Sequence, residues 1–193
     1  MREIKIQKLT LILLALVLVA CGSGDVDMTR ENKPQTTPVP REKPDDFQVQ
    51  YDWEVGALPP PYFYSYTITI GPGLEGQIRF EAGYEPDENS TWVESFALTE
   101  WDLRLLYEQM HDADVFVEEW KQQEDIPTGG SADHMTVHAY GAKYKIPSYV
   151  DGDEKARSIR AIYDQIERYV PSDIWEELNA KHERYVQEHE DED

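Results

Sequence analysis

Basic residues and cysteine are both scarce in this chain of 193 residues: 18 Lys and Arg stand against 39 Asp and Glu, and Cys21 is the one cysteine. A formal net charge of −21 argues against a nucleic-acid partner, because phosphate contacts need clustered Lys and Arg. One thiol excludes an internal disulfide, an all-cysteine zinc site and a Cys-x-x-Cys redox pair. Long apolar runs are missing too, except near the N-terminus, where residues 9–20 read LTLILLALVLVA. Spanning a bilayer core of ~30 Å takes about 20 apolar residues, so that run is too short for an ordinary transmembrane helix.

The run follows a short basic head of Arg2, Lys5 and Lys8 against Glu3, which is the layout of a secretory signal peptide. It closes on Leu18-Val19-Ala20-Cys21, with Gly22-Ser23-Gly24 directly after. This closure resembles the lipobox of bacterial lipoproteins. The resemblance implies that residues 1–20 are removed, and that Cys21 becomes the N-terminus and carries acyl chains on its sulfur and amino group. Several chains hold a protein stably, since each buried CH2 contributes ~0.8 kcal/mol and one chain alone is marginal. It also implies export and anchoring to a bacterial cell membrane, either the outer face of the cytoplasmic membrane or the outer membrane. Gly22 follows the cysteine where Asp would mark inner-membrane retention in some Gram-negative lipoproteins. A thioether at Cys21 removes thiol catalysis from consideration.

From Cys21 to residue 50 the composition turns polar, with Pro34, Pro38, Pro40 and Pro44 and few large apolar side chains. Such a stretch buries too little apolar surface to offset its ordering entropy, and it reads as a disordered tether. A flexible chain of that length holds a domain on the order of 30 Å from the lipid, and farther where proline stiffens it. One domain is expected over residues 51–187, followed by an acidic tail at 188–193.

Within that domain, Tyr64, Tyr66, Ile68 and Ile70 alternate with Ser65, Thr67 and Thr69, a half-buried strand. After Gly71-Pro72-Gly73, Ile78, Phe80 and Ala82 alternate with polar residues and complete a hairpin. A third strand is expected over 91–98, with Trp92, Phe96 and Leu98 inward, although Glu94 interrupts the alternation. Thr99 and Asp102 have the spacing of a capping box. Leu103, Leu106, Tyr107 and Met110 form the apolar stripe of the helix that follows. Residues 114–120 fit strand or helix equally, and 121–132 read as a polar loop.

A second hairpin pairs Met135, Val137 and Ala139 with Tyr144 and Ile146. Gly141-Ala142 suits a type II′ turn, which places Ala139 opposite Tyr144, Val137 opposite Ile146 and His138 opposite Lys145. Asp151 and Asp153 precede a helix with a stripe of Ala156, Ile159, Ile162, Ile166 and Tyr169. Pro171 breaks it, and Ser172 is expected to cap a last helix bearing Trp175, Leu178, Tyr185 and Val186. The order hairpin–helix–hairpin–helix–helix predicts an α+β fold, an antiparallel sheet with its helices on one face.

Candidate chemistry is sparse. His134 and His138 share a strand face, but ~13 Å between their Cα atoms is too far for one small ion. Ser131, Asp133 and His134 are close in sequence, which is no evidence for a triad assembled across a fold, and no G-x-S-x-G elbow lifts the serine. Asp151-Gly152-Asp153-Glu154 lacks the remaining ligands of a calcium loop and suits a helix start. Asn89-Ser90-Thr91 matches a glycosylation sequon, which loses weight behind a bacterial export signal. No cofactor, metal site or catalytic residue is assigned. Of the aromatics, most suit a core; Trp53 and Tyr62-Phe63-Tyr64, beside Pro59-Pro60-Pro61, are the candidates for an exposed patch that meets a protein, peptide or glycan. The function expected is a non-enzymatic binding or envelope-associated module on a lipid anchor, with a surface hydrolase using carboxylates as the alternative.

Overall fold

The structure is a computed structural model that describes residues 39–117, 119–127 and 129–190. The expected signal peptide, Cys21 and most of the expected tether lie outside the described residues, as do residues 191–193 of the expected acidic tail. Among the described residues six strands are present: β1 (Gln48–Glu54), β2 (Tyr64–Ile70), β3 (Glu75–Ala82), β4 (Thr91–Ala97), β5 (Ala132–Ala139) and β6 (Ala142–Ile146). Three helices join them: α1 (Glu100–Asp112), α2 (Asp153–Tyr169) and α3 (Ser172–His189). The strands form one antiparallel sheet in the order β4-β3-β2-β1-β5-β6.

Strand alternation divides that sheet into two chemical faces. Val49, Tyr51, Ile68, Ile70, Ile78, Phe80, Met135 and Val137 are buried on one side. All three helices cover this side. Tyr163 of α2 lies on Tyr51, Trp175 of α3 meets Tyr66, and Tyr107 of α1 meets Phe47. The α+β architecture with helices on one face is therefore as expected. Among the described residues the other face carries no helix, and its polar side chains bond to one another: Asp52 accepts hydrogen bonds from the Thr67 hydroxyl at 2.7 Å and from the Gln50 amide.

The helices start and pack as their sequences require. Thr99 accepts the Asp102 backbone N–H, and Asp102 accepts the Thr99 N–H at 2.8 Å, a complete capping box. Leu103, Leu106, Tyr107 and Met110 are all buried. On α2 the buried set is Ile159, Ile162, Tyr163 and Ile166, so Tyr163 belongs to the stripe and Tyr169 only flanks it.

Four details differ from the sequence reading. First, the fold begins before Tyr51: β1 starts at Gln48 and Phe47 is wholly buried, so the end of the expected tether is strand. Second, the β5–β6 register is shifted by two residues, with Val137 opposite Tyr144 and His138 opposite Lys143. The turn is Tyr140-Gly141, both at positive φ (54° and 71°), a type I′ geometry whose twist matches the strands. A shift of two preserves which face each side chain occupies. Third, Ser172 opens α3 as its first helical residue; Pro171 holds the cap position, and no side chain caps there. Fourth, residues 113–117 are a turn that buries Val115 and Phe116, neither strand nor helix.

Glu94 does face inward on β4, and Lys181 of α3 meets its carboxylate at 3.0 Å. The break in alternation is thus an ion pair across the layers. Helix α3 continues through Glu188 and His189, the first residues of the expected tail.

Candidate binding site

A cleft of about 720 Å3 opens where α2 turns into α3 above the middle of the sheet. Its floor is aromatic. Trp53 from β1 and Tyr66 from β2 are directly paired across the strands and stack at 4.9 Å, while Tyr64 stacks on Phe80 of β3 at 5.1 Å. Strand pairing sets these contacts: Trp53 and Tyr66 are directly opposite, and Tyr64 reaches Phe80 on the diagonal, since Phe80 is the cross-strand partner of Tyr66. The far wall is Trp175, whose ring meets Tyr66 edge-on at 5.0 Å and whose Nε1–H donates to the Glu167 carbonyl at 3.3 Å.

The polar rim comes from α2 and the elbow after it. Asp164, Glu167 and Arg168 line the cleft, and Pro171 forces the break that exposes Ser172 and Asn179 to it. Glu167 Oε1 accepts both the Tyr51 hydroxyl at 2.9 Å and the Tyr66 hydroxyl at 2.8 Å. Burial above all, with the Glu167 carboxylate adding to it, pushes both phenols far above their ordinary pKa, so they remain donors. Asp164 is held by Arg160, at 3.0 Å, one turn back on α2. Arg168 is exposed, and its side chain has no ion pair or hydrogen bond to a described residue.

The sequence candidates distribute as follows. Trp53 and Tyr64 are in the cleft floor, half-buried rather than openly displayed. Tyr62 is exposed and donates to Glu190 at 2.8 Å, and Phe63 stacks on Tyr84 at 4.0 Å. Trp92 stacks on Phe80, and Trp101 is exposed beneath the Arg104 guanidinium. Asp133 and His134 fall on opposite faces of the sheet. Asp133 points inward to Arg160 at 2.9 Å, while His134 points outward beside Asp52 at 3.3 Å. With Ser131 only lending its carbonyl to Tyr149, these residues do not converge. Burial raises the Asp133 carboxyl above its ordinary pKa, and the Arg160 charge opposes that. Asp153 and Glu154 occupy the first turn of α2, as helix-start acids should. Asn89 and Ser90 belong to a turn organised by Asp87, whose carboxylate accepts both of their backbone N–H groups. Cys21 is outside the described residues.

Tyr51, Tyr66 and Glu167 were not singled out from sequence. One signal pointed to Glu167: it follows Tyr163 by four residues on the shoulder of the α2 stripe, where a side chain leans back over the preceding turn. Among the described residues, no group of His, Cys, Asp or Glu is placed to hold a metal ion, and no helix is long and apolar enough to cross a membrane. No protein-family model matches the chain, and no curated protein is similar to it.

Proposed function

We propose that this chain is an exported, lipid-anchored binding module without catalytic activity, and that the cleft between sheet and helices receives its ligand. The observation that carries the reading is the aromatic floor of Trp53, Tyr64 and Tyr66 facing Trp175 under a rim of hydrogen-bonding groups. Ligand sites combine a concave apolar lining of about 300–1,000 Å3 with a few fixed polar groups, and this cleft has both. Arg168 is the unpaired charge at the rim and suits an acceptor on the ligand, while the aromatic floor suits a sugar ring or a peptide side chain.

The two rim carboxylates favour binding over hydrolysis. General acid–base work needs carboxyls free to exchange protons with substrate, and here Asp164 is tied to Arg160 and Glu167 to two tyrosines. Anchoring rests on the lipobox resemblance at Cys21.

Titration of the full chain with a panel of envelope glycans and peptides, read by tryptophan fluorescence, tests the cleft. A saturable change lost in Trp175→Ala supports it; a change that survives both Trp175→Ala and Trp53→Ala rules it out. Turnover of any panel member that disappears in Glu167→Gln establishes the hydrolase instead. For the anchor, labelled fatty acid enters the wild-type chain and not Cys21→Ala; retained label sinks the lipoprotein reading.

A further inference from the structure

A second cavity, of about 440 Å3, lies against the outer ends of β5 and β6, and its lining differs from the rest of the molecule. In a chain with 39 acidic residues, no carboxylate lines it. Donors line it instead: the ammonium groups of Lys143 and Lys145, the His134 ring, the Thr136 and Ser148 hydroxyls and the Gln122 amide. Thr136 and Lys145 are cross-strand partners, with His134 and Lys143 two residues along their strands, so the sheet itself holds these four on one face.

The lysines are concentrated here. The described residues include six, Lys43, Lys121, Lys143, Lys145, Lys155 and Lys181. Lys143 and Lys145 line the cavity, and Lys121 sits between two lining residues, Trp120 and Gln122. The Lys155 ammonium lies 5.7 Å from the Trp120 ring. Neither Lys143 nor Lys145 has an ion-pair partner among the described residues. Two unpaired ammonium groups side by side on a strand repel each other, and so abundant an acidic complement would have let folding pair them. Asp52, 3.3 Å from His134, is engaged with Thr67 and Gln50 and does not line the cavity. Trp120 adds a separate observation: it lines the cavity, and its indole N–H is buried without a hydrogen-bond partner, which costs free energy.

We propose that this cavity binds a phosphate group. Phosphate carries up to two negative charges and several acceptor oxygens in a tetrahedron, and lysine meets it as a point charge without demanding the planar geometry of an arginine fork. The cavity exceeds the size of the ion, leaving space for the organic part of a phosphomonoester or a phospholipid headgroup. The His134, Thr136, Lys143 and Lys145 side chains of this site are on the opposite sheet face from the aromatic cleft, its Met135 and Ile146 belong to the core side, and no lining residue is shared with the cleft.

The test uses the full chain, 15N-labelled, in detergent micelles and in nanodiscs. Inorganic phosphate and glycerol phosphate are added in the first setting, and phosphatidylglycerol is mixed into phosphatidylcholine in the second. A saturable shift of the Trp120 indole and of amides 134–148 with the soluble probes identifies a free phosphate ligand. The same shift confined to phosphatidylglycerol identifies a headgroup, and either result upholds the site. The double variant Lys143→Gln/Lys145→Gln, exposed and clear of the core, should weaken binding about tenfold or more with other amides unmoved. Matching shifts with chloride at equal ionic strength, no shift with any probe, or unchanged binding in the double variant would overturn it.

Discussion

Asp46 and Gly141, 95 positions apart in sequence, are bound to each other: the Asp46 carboxylate accepts the Gly141 N–H at 2.6 Å and, through its other oxygen, the Tyr140 N–H at 2.8 Å. These are the two central residues of the β5–β6 turn, both at positive φ. A non-glycine residue pays a steric penalty there, and Asp46 offsets it for Tyr140 by satisfying the turn's outward N–H groups. The Tyr140 hydroxyl in turn reaches the Glu42 carbonyl, so the segment before β1 and the far hairpin hold each other.

Asp46→Ala should lower the melting temperature and raise amide exchange at residues 139–142, with Asp46→Asn falling between variant and wild type. The Gly141 N–H, followed by that of Tyr140, holds the Asp46 carboxyl below its ordinary value of 3.8. A depressed folded pKa contributes stability that is complete above the unfolded value and is lost as pH falls through the folded one. Asp46→Ala should therefore be less stable than the wild type near neutrality, and the gap should narrow as pH falls below about 4. A gap independent of pH would refute the contact.

Glu167 ties the cleft floor to α2. Glu167→Leu leaves the Tyr51 and Tyr66 hydroxyls without their acceptor, an expected loss of about 2–4 kcal/mol by chemical denaturation. Tyr51→Phe removes one donor and leaves Glu167 with Tyr66, so it should cost about 1 kcal/mol. Equal losses for the two variants would mean that Glu167 is not the shared acceptor.

Phe47 tests where the domain begins. It is wholly buried against Tyr107, at 5.3 Å between ring centroids, and Phe47→Ala should cost about 3–5 kcal/mol. A cost under about 1 kcal/mol, typical of surface positions, would return this residue to a tether.

His182 supplies a mild pH dependence nearer neutrality. Burial, against Tyr64 and Phe80, holds its imidazole below the ordinary pKa of 6.5. The unfolded state then binds the proton more readily, so stability is complete above that value and declines as pH falls beneath it. His182→Phe should flatten the stability profile as pH falls below about 6.5, and an unchanged slope would place its origin elsewhere.

The α+β class was legible because period-two runs and helical stripes are local statements about burial. Thr99 and Asp102, Leu103 to Met110, and the β2–β3 alternation all depend on neighbours within a few residues. The β5–β6 register was not, since a tyrosine at positive φ depends on Asp46, far away in sequence. β1 does alternate, through Val49, Tyr51 and Trp53, but it follows a proline-bearing polar stretch that masked its start. The cleft was half visible for the same reason. Trp53 and Tyr64 stood out as aromatics without a core role, whereas Glu167 gains meaning only when β1 and β2 bring Tyr51 and Tyr66 under one turn of α2.

The place of β1 in the sheet has a kinetic consequence. β1, β2, β3 and β4 can form as a local meander, but β1 pairs on its other side with β5, Val49 against Val137. That pairing closes a loop of roughly ninety residues, and a large loop-closure entropy must be met before its contacts contribute. The sheet cannot be completed until the chain has emerged through β5. Until then the meander exposes one edge of β1, and the slow step in folding should be the arrival of the second hairpin at that edge.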